Sequence, residues 1–353
     1  MKTVAVTASK SYEVLIGSGL LAAAGERICA AAPGAEKAAI ISDDHVAPLY
    51  LVALEESLQR QGLACTSFVF PHGEASKNGG TYLQILNFLA ASGLSRSDLV
   101  IALGGGVTGD MAGFCAATYL RGLRYIQIPT SLLAMVDSSV GGKTAIDLDA
   151  GKNLAGAFCQ PELVLCDMDC LNTLSPEFFT DGCAEVLKYG ILADRELFDH
   201  LLLRGQDFDR EYVIGRCVAC KRDYVCADEF DRGQRQLLNL GHTLGHAIEK
   251  CSNYGVSHGR AVAMGMGMMA RVCAKRGLCS EECAGEMIEA LKALQLPHRT
   301  EIPLEELLAP MLSDKKRSGR SVSLIVPRAV GRCEILPVET DKLYDFFREG
   351  WTL

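Results

Sequence analysis

Asp98-Leu-Val-Ile-Ala-Leu-Gly-Gly-Gly-Val-Thr-Gly-Asp110 runs from an unbroken apolar stretch, Leu99–Leu103, directly into three consecutive glycines. An apolar run of that length, bounded by turn residues, reads as a strand buried on both faces. Glycines at 104, 106 and 109 have the spacing G-x-G-x-x-G, which lets backbone N–H groups approach a pyrophosphate at the start of a following helix. The helix is predicted over Asp110–Leu120. The acidic partner that such turns place about twenty residues further on is missing. An acidic strand end, Asp43–Asp44, instead precedes the glycines, where it is placed to hold an adenosine ribose. A Rossmann variant of altered order and a tight turn without a ligand both remain open.

Outward from this stretch, short apolar strands alternate with helical segments. Strands are predicted at Lys37–Ser42, Ala64–Phe70, Tyr125–Ile128 and Leu163–Leu165, and helices at Pro48–Gln61 and Thr81–Ser92. The N-terminal seventeen residues also alternate like a strand. β-α-β alternation argues for a parallel sheet with helices on its faces. After Ser175 the pattern changes. Ser175-Pro176-Glu177 has the form of a helix start, and helix-period segments follow at 176–192, 209–224, 235–251, 258–276 and 280–294. Two strands, Ser321–Pro327 and Cys333–Val338, come near the end. The boundary is expected near 172–176, separating a domain of residues 1–174 from one of residues 175–353.

The 353 residues exceed what one core usually accommodates. A net charge of −8 argues against a general nucleic-acid or membrane-surface binder, though not against a small anionic ligand. Fifteen scattered cysteines suit a reducing cytoplasm better than a disulfide framework. Cys217-x-x-Cys220 is a lone pair in a helical stretch and reads as buried thiols. The longest apolar run, Ala261–Ala270, is too short and glycine-rich to span a bilayer.

Three histidines, His242, His246 and His258, lie within seventeen residues. The first two are four apart and share a helix face. Imidazole is the commonest protein ligand for a borderline metal, and three ligands with one open position mark a catalytic site. The competing reading is three polar residues around a helix end. No Glu follows His242, so this is not the H-E-x-x-H protease arrangement. Gly141-Gly142-Lys143-Thr144 ends like a P-loop, but Asp137 stands where the pattern demands Gly. Asp137 to Lys143, with Lys152-Asn153 beyond, reads as a cluster able to grip a phosphate or carboxylate, or as a solvated lysine loop. Glu185 and Lys188 lie three apart among apolar residues, which suggests partial burial and makes Glu185 a candidate anionic ligand. Arg235, Asn239 and His242 recur at helical spacing.

Together these segments resemble the 3-dehydroquinate synthases, within the sugar phosphate cyclases. The resemblance runs from about residue 40 to about residue 340. It rests on PHGEASK (71–77), GGGVTGD (104–110), YLRG (119–122), VDSSVGGKTAID (136–147), GKNLAGAF (151–158), CAEVLKYG (183–190), NLGHTLGHAIE (239–249), SHG (257–259) and DKK (314–316). His72 and Cys159 depart from the common pattern, at positions without a catalytic role.

The resemblance implies an α/β chain: a Rossmann-like NAD-binding domain, then a mostly α-helical domain with a zinc or cobalt site. It makes Glu185, His242 and His258 the metal ligands, and His246 a substrate-facing proton handler. It places Lys143, Lys152, Asn153, Lys188, Lys221, Arg235, Asn239 and Lys315 or Lys316 in the substrate pocket, with Arg121 lent by the other copy of a homodimer. NAD contacts are implied at Asp43; at His72, Gly73, Glu74, Ala75, Ser76 and Lys77; and at Gly106, Val107, Thr108, Gly109 and Asp110. Others are implied at Thr130, Ser131, Asp137, Lys143 and Lys152, and at Cys170, Leu171, Asn172 and Thr173. The implied reaction turns 3-deoxy-D-arabino-heptulosonate 7-phosphate into 3-dehydroquinate and phosphate, with the hydride taken by NAD and later returned. Two rivals are a metal-dependent polyol dehydrogenase and a non-catalytic metal or nucleotide binder. The full set of cations argues against the binder.

Overall fold

The computed structural model describes residues 1–313, 317–318 and 321–351. It divides into two compact units, Met1–Ser175 with Arg210–Phe230, and Pro176–Asp209 with Asp231–Leu353.

The first unit opens with β1 (Lys2–Thr7) and β2 (Ser11–Gly17), an antiparallel pair, followed by α1 (Ala24–Ala31). Alternation then sets in: β3 (Lys37–Asp43), α2 (Ala47–Gln59), β4 (Ala64–Phe70), α3 (Gly79–Ala91), β5 (Leu99–Gly104), α4 (Gly106–Thr118) and β6 (Arg124–Pro129). A hairpin, β7 (Lys143–Leu148) and β8 (Gly151–Phe158), precedes β9 (Leu163–Asp167). The seven-stranded sheet has the order β1-β2-β9-β6-β5-β3-β4, and every pairing after the first is parallel.

The apolar run read from the sequence is β5, an interior strand between β6 and β3. Its period of two sorts its side chains onto opposite faces. Leu99, Ile101 and Leu103 pack with Ile28 of α1 and Leu54 and Leu58 of α2. Val100 and Ala102 pack with Leu89 of α3 and with Met111 and Cys115 of α4. Each large side chain so buried contributes about 1.5–3 kcal/mol, so a strand apolar at every position is stable only with helices on both faces.

After β9 the chain forms α5 (Pro176–Ala193) and α6 (Arg195–Arg204) of the second unit, then α7 (Arg210–Ala227). Periodicity alone groups α7 with residues 175–353; the structure places it with the sheet unit. The reason is polar as well as apolar. Val213, Ile214, Cys217 and Val218 are buried, Lys221 is paired with Asp137 at 2.6 Å, and Glu229 accepts hydrogen bonds from Ser9 and Gln160.

The second unit continues with α8 (His242–Cys251), α9 (His258–Lys275), α10 (Glu281–Ala293) and α11 (Leu304–Ser313). A small antiparallel sheet of β10 (Arg317–Ser318), β11 (Ser321–Ala329) and β12 (Arg332–Glu339) follows, and α12 (Leu343–Trp351) closes the described chain. Its core joins Leu244 and Ile248 of α8, Met268 and Val272 of α9, Leu307 of α11, Leu324 of β11 and Phe347 of α12.

Three sequence expectations need correction. The helix after the glycines begins at Gly106, not Asp110, so the glycine run itself forms the first turn. The segment 235–251 is not one helix: a 3-10 turn, Gln234–Asn239, is separated from α8 by Gly241 at φ +77°. A Cβ at Gly241 would lie 2.7 Å from the Val262 carbonyl of α9, so close packing there demands glycine. Residues 143–158, for which the sequence predicts no strand, form a hairpin. No described helix is long and apolar enough to cross a membrane.

Candidate active site

In the helical unit, α5 contributes Glu185, fully buried, with Lys188 in contact one turn later. A carboxylate taken from water without compensation is costly by several kcal/mol, so the adjacent ammonium is part of what holds Glu185 inside. The start of α8 brings Nε2 of His242 to 3.5 Å from Glu185 Oε1. The start of α9 brings Nε2 of His258 to 3.3 Å from the same oxygen. These three donor atoms all lie within 4.8 Å of one another.

The backbone explains why His258 arrives there. Asp181, one turn before Glu185 on α5, accepts from the Ser257 hydroxyl and from the Arg260 N–H at 3.0 Å, which clips the first turn of α9 against α5. Gly259 completes the fit: a Cβ there would lie 1.9 Å from the Asp181 carbonyl oxygen. His242 is oriented differently. Its Nδ1 lies 3.0 Å from the Leu240 carbonyl, so Nδ1 carries the proton and the Nε2 lone pair faces Glu185. Two imidazole nitrogens and a carboxylate oxygen converging this closely want positive charge between them. The surroundings of His258 show the same demand: burial pulls its pKa down, but Glu185 and Glu249 outweigh that and push it up to about 10. One carboxylate and two imidazoles suit a borderline divalent metal.

His246 follows His242 by one turn on α8, is exposed, and has its ring centre 6.0 Å from that of His258. It is not among the three converging donors. It belongs to a second grouping with Glu249 and His258. Arg235 and Lys188 are buried, whereas Asn239 donates to the Gln236 carbonyl at 3.0 Å. The break at Gly241 removes Arg235 and Asn239 from the helix face that spacing assigned them, and the 3-10 turn carrying both packs instead against α5.

In the sheet unit, the first turn of α4 has no capping side chain and no acid. Gly105 and Gly106 leave its N–H groups uncovered, and the helix dipole favours an anion there. Gly109 serves packing, since a Cβ would lie 2.6 Å from Gln127 Oε1 of β6. Thr130 is buried and donates its N–H to the Gly104 carbonyl, while the Ser131 hydroxyl accepts from Ala134 N–H.

Beside this turn, Lys77 donates to Asp110 Oδ2 and to Asn153 Oδ1, both at 2.6 Å. Burial disfavours the Lys77 charge, yet Asp110 and Glu74 hold its pKa above the ordinary lysine value. Asn153 sits at φ +54° and its N–H is held by Asp147 at 2.7 Å. Lys152 Nζ is 3.7 Å from Glu74.

Asp137 lies in a π-helical turn, Ala134–Ser138, a distortion common at functional sites. Lys221 reaches both its carboxylate and its backbone carbonyl. Lys143 is exposed at the far end of the hairpin, about four residues or 13 Å along the strands from Lys152. The single cluster expected over 137–153 therefore divides into two.

Of the other expected contacts, Asp43, Cys170 and Leu171 are turned inward. Asp43 is nearly buried: its carboxylate accepts from His45 N–H, Val46 N–H and the Thr108 hydroxyl, leaving little capacity for a ribose. Neighbouring Asp44 is the exposed acid, holding His72 at 2.8 Å. Cys170 and Leu171 are core residues, Asn172 accepts from Arg210, and Thr173 hydrogen-bonds Tyr50. Arg121 is exposed, at φ +66°. Lys315 and Lys316 lie outside the described residues. Spacing alone missed Asp147, Asp181 and Glu249; of these Asp181, four before Glu185, and Glu249, three after His246, have a helical-spacing signal.

A parallel sheet with an open glycine turn, in one chain with a helical unit bearing a buried carboxylate and two imidazoles, is the build of the sugar phosphate cyclases. The 2-deoxy-scyllo-inosose synthase structure complexed with carbaglucose-6-phosphate, NAD+ and Co2+ aligns over 99% of this chain and 100% of its own, with TM-score 0.87 and 25% identity. The 2-epi-5-epi-valiolone synthase of Streptomyces hygroscopicus subsp. jinggangensis 5008, with NAD+ and Zn2+ bound, aligns over 97% of each chain, with TM-score 0.87 and 26% identity.

Within that class, the chain belongs to the 3-dehydroquinate synthase family. The family's N-terminal model matches residues 67–181 and its C-terminal model residues 182–317. The 3-dehydroquinate synthase of Paracoccus denitrificans (strain Pd 1222) is 45% identical over 337 residues, covering 92% of each chain.

Proposed function

We propose that this enzyme converts 3-deoxy-D-arabino-heptulosonate 7-phosphate to 3-dehydroquinate and phosphate, using NAD and one zinc or cobalt ion. Membership of the family supports the substrate. The observation that carries the chemistry is the convergence of Glu185, His242 and His258 on one point beside Lys188.

When bound, NAD supplies a hydride acceptor that later returns its hydride, and the metal supplies a Lewis acid at the alcohol being oxidised. The residues of the chain do the rest. Glu185, His242 and His258 hold the metal, and Lys188 lies against Glu185 and offsets its charge. His246, exposed and without a place among the ligands, relays protons to and from the substrate. Phosphate and carboxylate are held by Lys143, Lys152, Asn153, Lys188, Lys221, Arg235 and Asn239, with one of Lys315 and Lys316. The first turn of α4 binds the NAD pyrophosphate, its glycines admitting the anion to backbone N–H groups; Asp44 stands near the strand end where a ribose would lie. The active form is a cytoplasmic homodimer in which Arg121 is lent to the neighbouring copy.

The test is incubation of the protein with the heptulosonate phosphate, NAD and zinc. Phosphate and dehydroquinate are expected in equal amounts, with no lasting NADH absorbance. NADH building up in proportion to substrate would instead identify a polyol dehydrogenase, and no turnover at all a binder.

A further inference from the structure

We propose that Glu249 is a positioning residue for the metal centre, holding the His258 ring so that its Nε2 faces Glu185. This rests on the metal reading given above and adds a residue to it.

Glu249 lies on α8 and is almost fully buried. Its Oε2 is 3.3 Å from Nδ1 of His258, whose Nε2 is in turn 3.3 Å from Oε1 of Glu185. The imidazole thus spans two carboxylates, one on each nitrogen. A proton on Nδ1 shared with Glu249 leaves the Nε2 lone pair free to donate, and the carboxylate raises the basicity of the ring. A buried carboxylate is an expensive way to fill space, and a Leu or Gln would pack at less cost. Its retention beside a ligand imidazole is accounted for if it acts on that imidazole.

The chain between the two residues is shaped for this contact. Tyr254 donates its N–H to the Glu249 carbonyl at 2.7 Å, and the Ser252 hydroxyl donates to the same oxygen at 3.0 Å. Asn253 and Tyr254 both have positive φ, +50° and +60°. Two consecutive non-glycine residues in that region are strained, and they reverse the chain so that position 258 returns to position 249. The two ligand imidazoles are therefore oriented by different means. His242 is held by a main-chain carbonyl that no substitution removes, and His258 by a side chain that can be changed.

The test uses the full chain freed of metal and titrated with Co2+ against a chromophoric chelator, with the visible absorption of bound Co2+ as a second readout. Wild type is expected to bind one Co2+ per chain. Glu249→Leu is expected to bind it 10–100-fold more weakly with an altered visible spectrum. Glu249→Gln, which retains an acceptor oxygen without the charge, is expected to fall between, and its near-isosteric side chain preserves the fold if the Leu variant does not.

Wild-type affinity and spectrum in both variants would overturn the proposal. So would two Co2+ per wild-type chain falling to one in the variants, since Glu249 would then be a ligand of the His246, Glu249, His258 grouping. Failure of the metal reading is separate: it would show as no Co2+ uptake by wild type, or as unchanged uptake by His242→Ala.

Discussion

Nζ of Lys188 meets a carboxylate oxygen of Glu185 one helical turn away, with side-chain exposures of 1% and 0%. Lys188→Met leaves that carboxylate buried without its ammonium, which is expected to cost about 3–5 kcal/mol in the metal-free protein. It also removes a positive charge that repels an incoming cation. Added Zn2+ should therefore raise the melting temperature more in Lys188→Met than in wild type. Thermal scans with and without zinc check this, and equal increments would argue that Lys188 does not govern the charge of Glu185.

His242 and His246 sit on the same helix one turn apart but are assigned different work. His242→Ala is expected to lose the metal, whereas His246→Ala should retain it and lose turnover by roughly 10²–10⁴-fold. Metal content after gel filtration, together with phosphate release, separates the two. Loss of metal from His246→Ala would return it to the ligand set.

Gly259→Ala would drive a Cβ into the Asp181 carbonyl at 1.9 Å. The expected cost is about 2–3 kcal/mol, with weakened metal binding because His258 precedes the displaced residue. Gly285→Ala in α10 is the control. Nothing lies within 4 Å of its added Cβ, and it should stabilise by about 0.5–1 kcal/mol. Urea unfolding of both variants tests the pair.

Asp98 accepts the N–H groups of Glu36, Lys37 and Ser95 and the Ser95 hydroxyl at 2.7–3.3 Å. Burial raises its pKa, but these hydrogen bonds outweigh it and hold the carboxyl below the ordinary value. A depressed folded pKa contributes stability that is present above the unfolded value, about 3.9, and lost as pH falls through the folded one. Asp98→Asn should lower stability by about 2–3 kcal/mol at neutral pH. The deficit should shrink below about pH 4. A deficit that stays constant into acid would show that the charge of Asp98 plays no part.

Leu120 and Arg121 hold consecutive positive φ angles on an exposed turn, a strain of the kind retained at functional positions. If Arg121 serves the neighbouring copy, inactive Arg121→Ala and His258→Ala chains refolded together should regain about a quarter of wild-type turnover. Half the dimers are mixed, and one of the two sites in each is intact. Absence of recovery would place Arg121 in its own chain's site or outside any site.

What could be read from the sequence follows what local periodicity encodes. Leu99–Leu103 announced a doubly covered strand because its apolar positions are continuous, and Ser175-Pro176-Glu177 announced α5 because caps are local. The break at Gly241 was hidden, since its cause is a carbonyl of Val262 on another helix. Helical spacing therefore assigned Arg235 and Asn239 to a face they do not occupy. Spacing among apolar residues offers Glu185, far from the histidines in sequence, as a candidate anionic ligand, and the resemblance decides between it and His246 for the third place. Asp43 was read as a ribose ligand because it ends a strand, but its oxygens are engaged by two N–H groups and Thr108, contacts that only the folded chain reveals.

The place of α7 bears on how the protein is made. The sheet unit takes its last segment, Arg210–Phe230, after the chain has left it at Ser175. During synthesis the surface that α7 covers on β1 and β2 stays open while about 55 further residues are added. At ribosomal rates that is roughly three to eleven seconds. The nascent sheet thus waits with an apolar flank exposed, and no fragment ending at the sheet-to-helix boundary contains a finished first unit.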